Sequence, residues 1–251
     1  VPERSFTPDA LPALLVFHGR PLPDRAVTAA QLTASWIDGA KRQLAQTSLS
    51  VRAAALRHAL GFAPEAASKA RAATLSRRPP VLVAGTMPEV EAALRKAGHA
   101  VRPIVFTPFD RAAADKVRHF ETYNRTAASQ RVADIVAALR AEPGAILVAA
   151  GDAALAGALA SAIEPPRLAI LDVDGFDTGR DKEYLAHVYI PGLRRAGDVQ
   201  TASEMVPGRL IVHNAGLRFA ATGARVQQAM LTPAEITALV RQAGRRLVGV
   251  M

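Results

Sequence analysis

The sequence contains no cysteine, so neither a disulfide nor a thiolate metal centre can form, and the redox compartment is left open. Aromatic residues make up only 5% of it, which leaves few platforms for stacking single-stranded nucleic acid. No apolar run reaches the roughly 18 residues needed to span a bilayer, so no membrane segment is expected. No G-x-G-x-x-G follows a strand, which removes the usual signature of a dinucleotide site. No cofactor is expected.

What is present is a chain of 251 residues, half of them hydrophobic, enough for one large α/β domain or two small ones. Lysine and arginine total 31 against 22 acidic residues, a formal charge of +9. Along the sequence these cations are scattered over amphipathic helices. That pattern predicts a solvated arginine surface with weak attraction to acidic polymers and no specific nucleic-acid site. The chain begins at Val1, not methionine, which points to upstream sequence having been removed.

The first part, residues 1–78, reads as a strand near Leu11 followed by two helices, about Thr28 to Gln46 and Ser50 to Gly61. It closes with an alanine-rich basic stretch running to Pro80. Leu32, Trp36, Ile37 and Leu44 offer the first helix an apolar face. From residue 79 to 251, apolar strands alternate with helices. The strands are PVLVAGTM, AVRPIVFTPF, AILVAA, RLAILDV, RLIVHNA and a final RRLVGVM. One long helix is expected across residues 115–141, and a loop from Asp174 to about Thr201. The alternation implies an α/β fold, a doubly wound and mostly parallel sheet covered on both faces, with an N-terminal helical segment.

The segment AILVAAGDAALAGALAS turns an apolar strand abruptly into a small-residue helix at Asp152. Small neighbours permit the strained, exposed turn that carries a hydrolase nucleophile, and the frame reads Ala150-Gly151-Asp152-Ala153-Ala154. Asp152 stands where serine is usual. An aspartate here can form an ester intermediate if a histidine activates water, with His213 the first candidate and His187 the next. Alternatively, Asp152 caps the helix that follows.

GRPLP after the first strand, ETYNRTAASQRVADI ahead of the elbow strand, LDVDGFD after it and LIVHNAG near the end carry a family resemblance. Together they resemble acetyl-xylan-esterase-like α/β-hydrolases, relatives of dienelactone hydrolases and prolyl-oligopeptidase-type enzymes, over Leu11 to Phe219. The resemblance implies a serine at the elbow, an acid after the seventh strand and a histidine after the eighth. The sequence departs at all three places: Asp152 holds the elbow, Asn214-Ala215-Gly216 supplies no carboxylate, and Met251 closes the chain. The expectation is therefore a degenerate C-terminal hydrolase unit of a tandem protein, periplasmic or secreted. It would support a catalytic hydrolase domain or chain acting on carboxyl esters such as acetylated polysaccharides.

Asp172, Asp174 and Asp177 fall near the carboxyl end of a strand, where open α/β sheets bind ligands. With Tyr184 they form a candidate ligand or carbohydrate cleft. The bland alternative is a set of turn carboxylates bonding their own backbone around Gly175. No metal is expected. His18-Gly19 lies too early for an oxyanion turn, and the strand at the right distance ends in Gly85-Thr86. His58, His99 and His119 read as surface residues, and Arg125 as an ordinary ion-pair partner of Asp110 or Asp134.

Overall fold

The structure is a computed structural model that describes residues 29–63 and 78–245. The expected first strand, His18, the basic stretch before Arg78 and, after its first residue Arg245, the final RRLVGVM strand lie outside those residues; Arg245 is helical. The chain divides into two units, residues 1–45 and 46–251. In the first, α1 (Ala29–Gln46) exposes Leu32 and, to 68%, Trp36, two members of its expected apolar face.

The second unit is built on six parallel strands: β1 (Val81–Ala84), β2 (Val101–Pro103), β3 (Ile146–Ala150), β4 (Leu168–Asp172), β5 (Leu210–His213) and β6 (Arg225–Val226). Their order is β2-β1-β3-β4-β5-β6, and every neighbouring pair is parallel. Parallel strands buried on both faces read as continuous apolar runs, which is why VLVA and ILVA stood out. Within them the side chains alternate between faces. Leu82, Leu147, Leu171 and Val212 enter one apolar cluster, while Val81, Val83, Ile146, Val148 and Ile170 enter another.

The first cluster is closed by α2 (Leu49–Ala59), α6 (Ala127–Ala141), α7 (Asp152–Ile163) and α9 (Asp198–Met205). The second is closed by α3 (Pro88–Lys96) and α10 (Pro233–Arg245). Helix α2, which the sequence reading grouped with the N-terminal segment, belongs to this unit. Its Leu56 and Leu60 are buried, and Arg52 pairs with Glu204 at 2.6 Å. Helix α7 is buried on every side from Ala153 to Ile163. Gly157 is the point of closest approach: a Cβ there would sit 3.1 Å from a Leu147 methyl and 3.3 Å from a Leu171 methyl.

Three expectations are corrected. The long helix over 115–141 is broken into α4 (Arg111–Ala114), α5 (Phe120–Tyr123) and α6. His119 takes a left-handed conformation (φ 59°), and the Thr126 hydroxyl accepts the Ser129 N–H to start α6 afresh. The loop expected from Asp174 to Thr201 contains α8 (Asp181–His187), a short 3₁₀ turn and the start of α9. Strand β6 was not expected, since its two residues are both exposed and carry no apolar signal.

Candidate functional site

Every parallel strand ends at the same edge of the sheet, and there the chain leaves β3 through Gly151. Gly151 has φ 59° and ψ −135°, a region that an L side chain enters only with strain. The strained residue of the turn is thus Gly151, one position earlier than the sequence frame placed it. Asp152 is the first residue of α7. Gly151 takes the N-cap position, and the Asp152 carboxylate stands in the first turn, where the helix dipole favours it, with its hydrogen bonds going to side chains and not to helix N–H groups.

The Asp152 carboxylate faces two partners. One oxygen accepts Arg131 Nη1 from α6 at 3.1 Å, and the other meets His187 Nδ1 from α8 at 3.0 Å. All three side chains are between one-third and one-half exposed. The His187 ring also lies edge-on to Phe176, with centroids 6.2 Å apart, and its Nε2 is 3.9 Å from Glu183. Arg131 carried no sequence signal, because its partner is 21 residues away and on another helix.

His213, the first candidate base, is engaged elsewhere. It is only 2% exposed, and its Nδ1 accepts the Leu231 backbone N–H at 3.2 Å. Burial lowers its pKa below the usual imidazole range, against the opposing charges of Asp172 and Glu235. The neutral ring therefore carries its proton on Nε2. The structure pairs Asp152 with His187 and makes His213 a core hydrogen-bond acceptor.

The aspartates after β4 follow the bland reading. Asp172 Oδ1 accepts the Asp174 N–H at 3.0 Å and Asn214 Nδ2 at 2.8 Å. Asp174 and Gly175 both take positive φ in the turn. Asp177 is buried, with Oδ1 accepting the Gly179 N–H at 2.9 Å and Oδ2 3.4 Å from Arg180. Among the described residues no three histidine, aspartate or glutamate side chains are gathered to hold a metal ion.

Tyr184 is a core residue, 4% exposed, which removes it from a cleft. Its ring packs edge-on against Phe176 at 5.0 Å and lies under the Arg194 guanidinium at 4.2 Å. Its buried hydroxyl lies near the Asp198 carboxylate and the Arg194 guanidinium without a well-aligned hydrogen bond to either. Burial, with the Asp198 charge adding to it, pushes its pKa far up, so it stays protonated. Arg194, which the sequence reading missed, organises this region by donating to Asp198 (2.6 Å), Asp181 (3.0 Å) and the Thr178 carbonyl (3.1 Å).

Asp134 binds Thr107 through its backbone N–H and hydroxyl, and Asp110 caps α4 at the Ala113 N–H; neither serves as the expected partner of Arg125. His58 lies in α2, and His119 is exposed at its left-handed turn. His99 departs from the surface expectation, since both ring nitrogens are buried without a partner. No helix among the described residues is long and apolar enough to cross a membrane.

These features define a parallel α/β protein with a glycine-strained strand-to-helix turn and a charged trio beside it. No protein-family model, curated protein or solved structure matches the chain.

Proposed function

We propose that the chain is an α/β-hydrolase-type module without catalytic activity of its own, supporting a carboxyl-ester hydrolase domain or chain. The observation that carries this reading is Gly151. In such hydrolases the strained residue between strand and helix bears the nucleophile, and glycine has no side chain to attack with. The surrounding groups agree with it. Asp152 is held by Arg131 and His187, His213 is buried and accepting a backbone hydrogen bond, and Asn214 follows β5 where a carboxylate would be needed. Esters of acetylated polysaccharides, handled outside the cytoplasm, remain the substrate class proposed for the catalytic partner, by sequence resemblance.

The test is hydrolysis of p-nitrophenyl acetate and acetylated xylo-oligosaccharides by the purified chain. The expected rate equals that of buffer, and Asp152→Asn leaves it there. Turnover above buffer that Asp152→Asn or His187→Gln abolishes would overturn the proposal.

The 3.0 Å contact between Asp152 and His187 favours one second reading, an aspartate-nucleophile hydrolase with His187 in place of His213. Arg131 on the other carboxylate oxygen weakens it, because the guanidinium charge stabilises the carboxylate and lowers its nucleophilicity. That reading predicts a covalent aspartyl adduct with halide, epoxide or activated-ester probes in His187→Gln; an unmodified mass would exclude it.

A further inference from the structure

At the opposite, amino-terminal edge of the sheet the chain turns from helix to strand four times. The turns are residues 97–100, 142–145, 164–167 and 206–209, all of the same short length. Helices α3, α6, α7 and α9 end there because each runs antiparallel to the strand it precedes. Helix α10 also ends there, since its Arg241 charge is felt by His99 just before β2. Among the described residues these four turns are short, and the connection from β5 to β6 returns to the same edge, where Gly223 accepts the Gly208 N–H at 2.9 Å.

Cations that are scattered in sequence converge on this edge. Arg102 and Arg140 have carboxylate partners, Glu142 and Glu164. Lys96, Arg167, Arg209, Arg241 and Arg245 form no ion pair among the described residues. Favourable placement at helix C-termini accounts for a cation in a last helical turn, as with Lys96 and Arg245. It does not account for Arg167 and Arg209, which stand immediately before strands. Arg209 donates to the Pro166 carbonyl at 3.0 Å, and all three Arg167 guanidinium nitrogens are buried with no partner. The Arg167 nitrogens are closed to a docking partner, so the charges open to one are the exposed Lys96, Arg209, Arg241 and Arg245. The concentration of charge has an independent sign: Arg241 and Arg78, after burial itself, hold His99 below its ordinary pKa.

We infer that this edge is a docking surface for a carboxylate-rich face of another protein. Planar guanidinium groups pair bidentately with carboxylates, and three of the four exposed unpaired cations here are arginines. Nucleic acid is the less suited polyanion. Among the described residues no helix or hairpin projects here to enter a groove, and Phe62, the ring beside Arg140, is already covered by that guanidinium at 5.8 Å. The inference does not depend on the hydrolase reading above, and ester hydrolysis does not test it.

The experiment measures binding of fluorescent poly-L-glutamate to the full chain at low salt. The expected complex weakens about tenfold or more as salt rises through the range where the Debye length falls below 10 Å. Lys96→Glu/Arg209→Glu/Arg241→Glu weakens it by a further tenfold or more, and the milder Lys96→Gln/Arg209→Gln/Arg241→Gln weakens it less. The matched reversal at the other edge, Arg111→Glu/Lys116→Glu/Arg118→Glu, leaves it unchanged. Circular dichroism establishes that each variant is folded. Equal losses in both sets of variants, or no binding to polyglutamate at low salt, overturn the inference. Duplex DNA bound more tightly than polyglutamate through the same edge overturns it equally.

Discussion

His187 Nδ1 and Asp152 Oδ1 meet at 3.0 Å across a gap of 35 residues, clasping the end of α8 to the first turn of α7. Arg131 holds the other oxygen of the same carboxylate at 3.1 Å. All three groups are substantially exposed, and exposed ion pairs contribute about 0–1 kcal/mol each. Asp152→Asn, Arg131→Met and His187→Gln should therefore each shift stability by about 1 kcal/mol or less in urea unfolding. The local effect is larger in kind: amide exchange in 181–187 should accelerate in His187→Gln while exchange in β3 stays unchanged.

Arg167 and Arg194 should respond oppositely to loss of charge. Arg167→Met removes a buried guanidinium that has no partner, so stability of the isolated chain should be unchanged or rise by about 1–2 kcal/mol. Arg194→Met strips Asp198, a buried carboxylate, of its 2.6 Å partner and should cost about 3–5 kcal/mol. Thermal unfolding of the two variants beside the parent separates these outcomes; destabilisation by Arg167→Met would show that the group has a partner.

The pH dependence follows from His213 and His99, both of whose folded pKa values lie below the ordinary imidazole value. Between the folded and unfolded values the unfolded chain binds more protons, so stability rises with pH. It is fully present above about pH 6.5, the unfolded value, and is lost as pH falls toward the folded values. Urea midpoints measured from pH 8 down to pH 5 should decline, and His213→Gln should flatten the slope.

Two glycine substitutions distinguish strain from collision. A Cβ on Gly151 would meet nothing within 4 Å, so Gly151→Ala should cost only the backbone strain of φ 59°, about 1–3 kcal/mol. A Cβ on Gly223 would collide with the Ser203 carbonyl, which is backbone and cannot swing aside. Gly223→Ala should therefore cost more than Gly151→Ala and disturb the contact between α9 and the approach to β6.

Much of the architecture was legible because strands buried on both faces must be apolar throughout. Val81–Ala84, Ile146–Ala150, Leu168–Asp172 and Leu210–His213 stood out for that reason, and so did the small-residue helix after β3. The break at His119 was hidden, since left-handed backbone at a non-glycine residue leaves no periodic trace. Helix α8 was hidden as well, being short and mostly charged, so its place depends on tertiary contacts more than on its own pattern.

The candidate site divides along the same line. The sequence by itself determined a parallel α/β core and a tight glycine-containing turn after β3, because burial and steric permission are written residue by residue. Only the tertiary structure decided that Gly151, not Asp152, takes the strained position, and that Asp152 answers to Arg131 and His187 while His213 turns inward to Leu231. It also gathered dispersed arginines onto one edge of the sheet. Those outcomes depend on which helix ends and loops meet in space, and charges far apart in the chain carry no mark of the neighbour they will find.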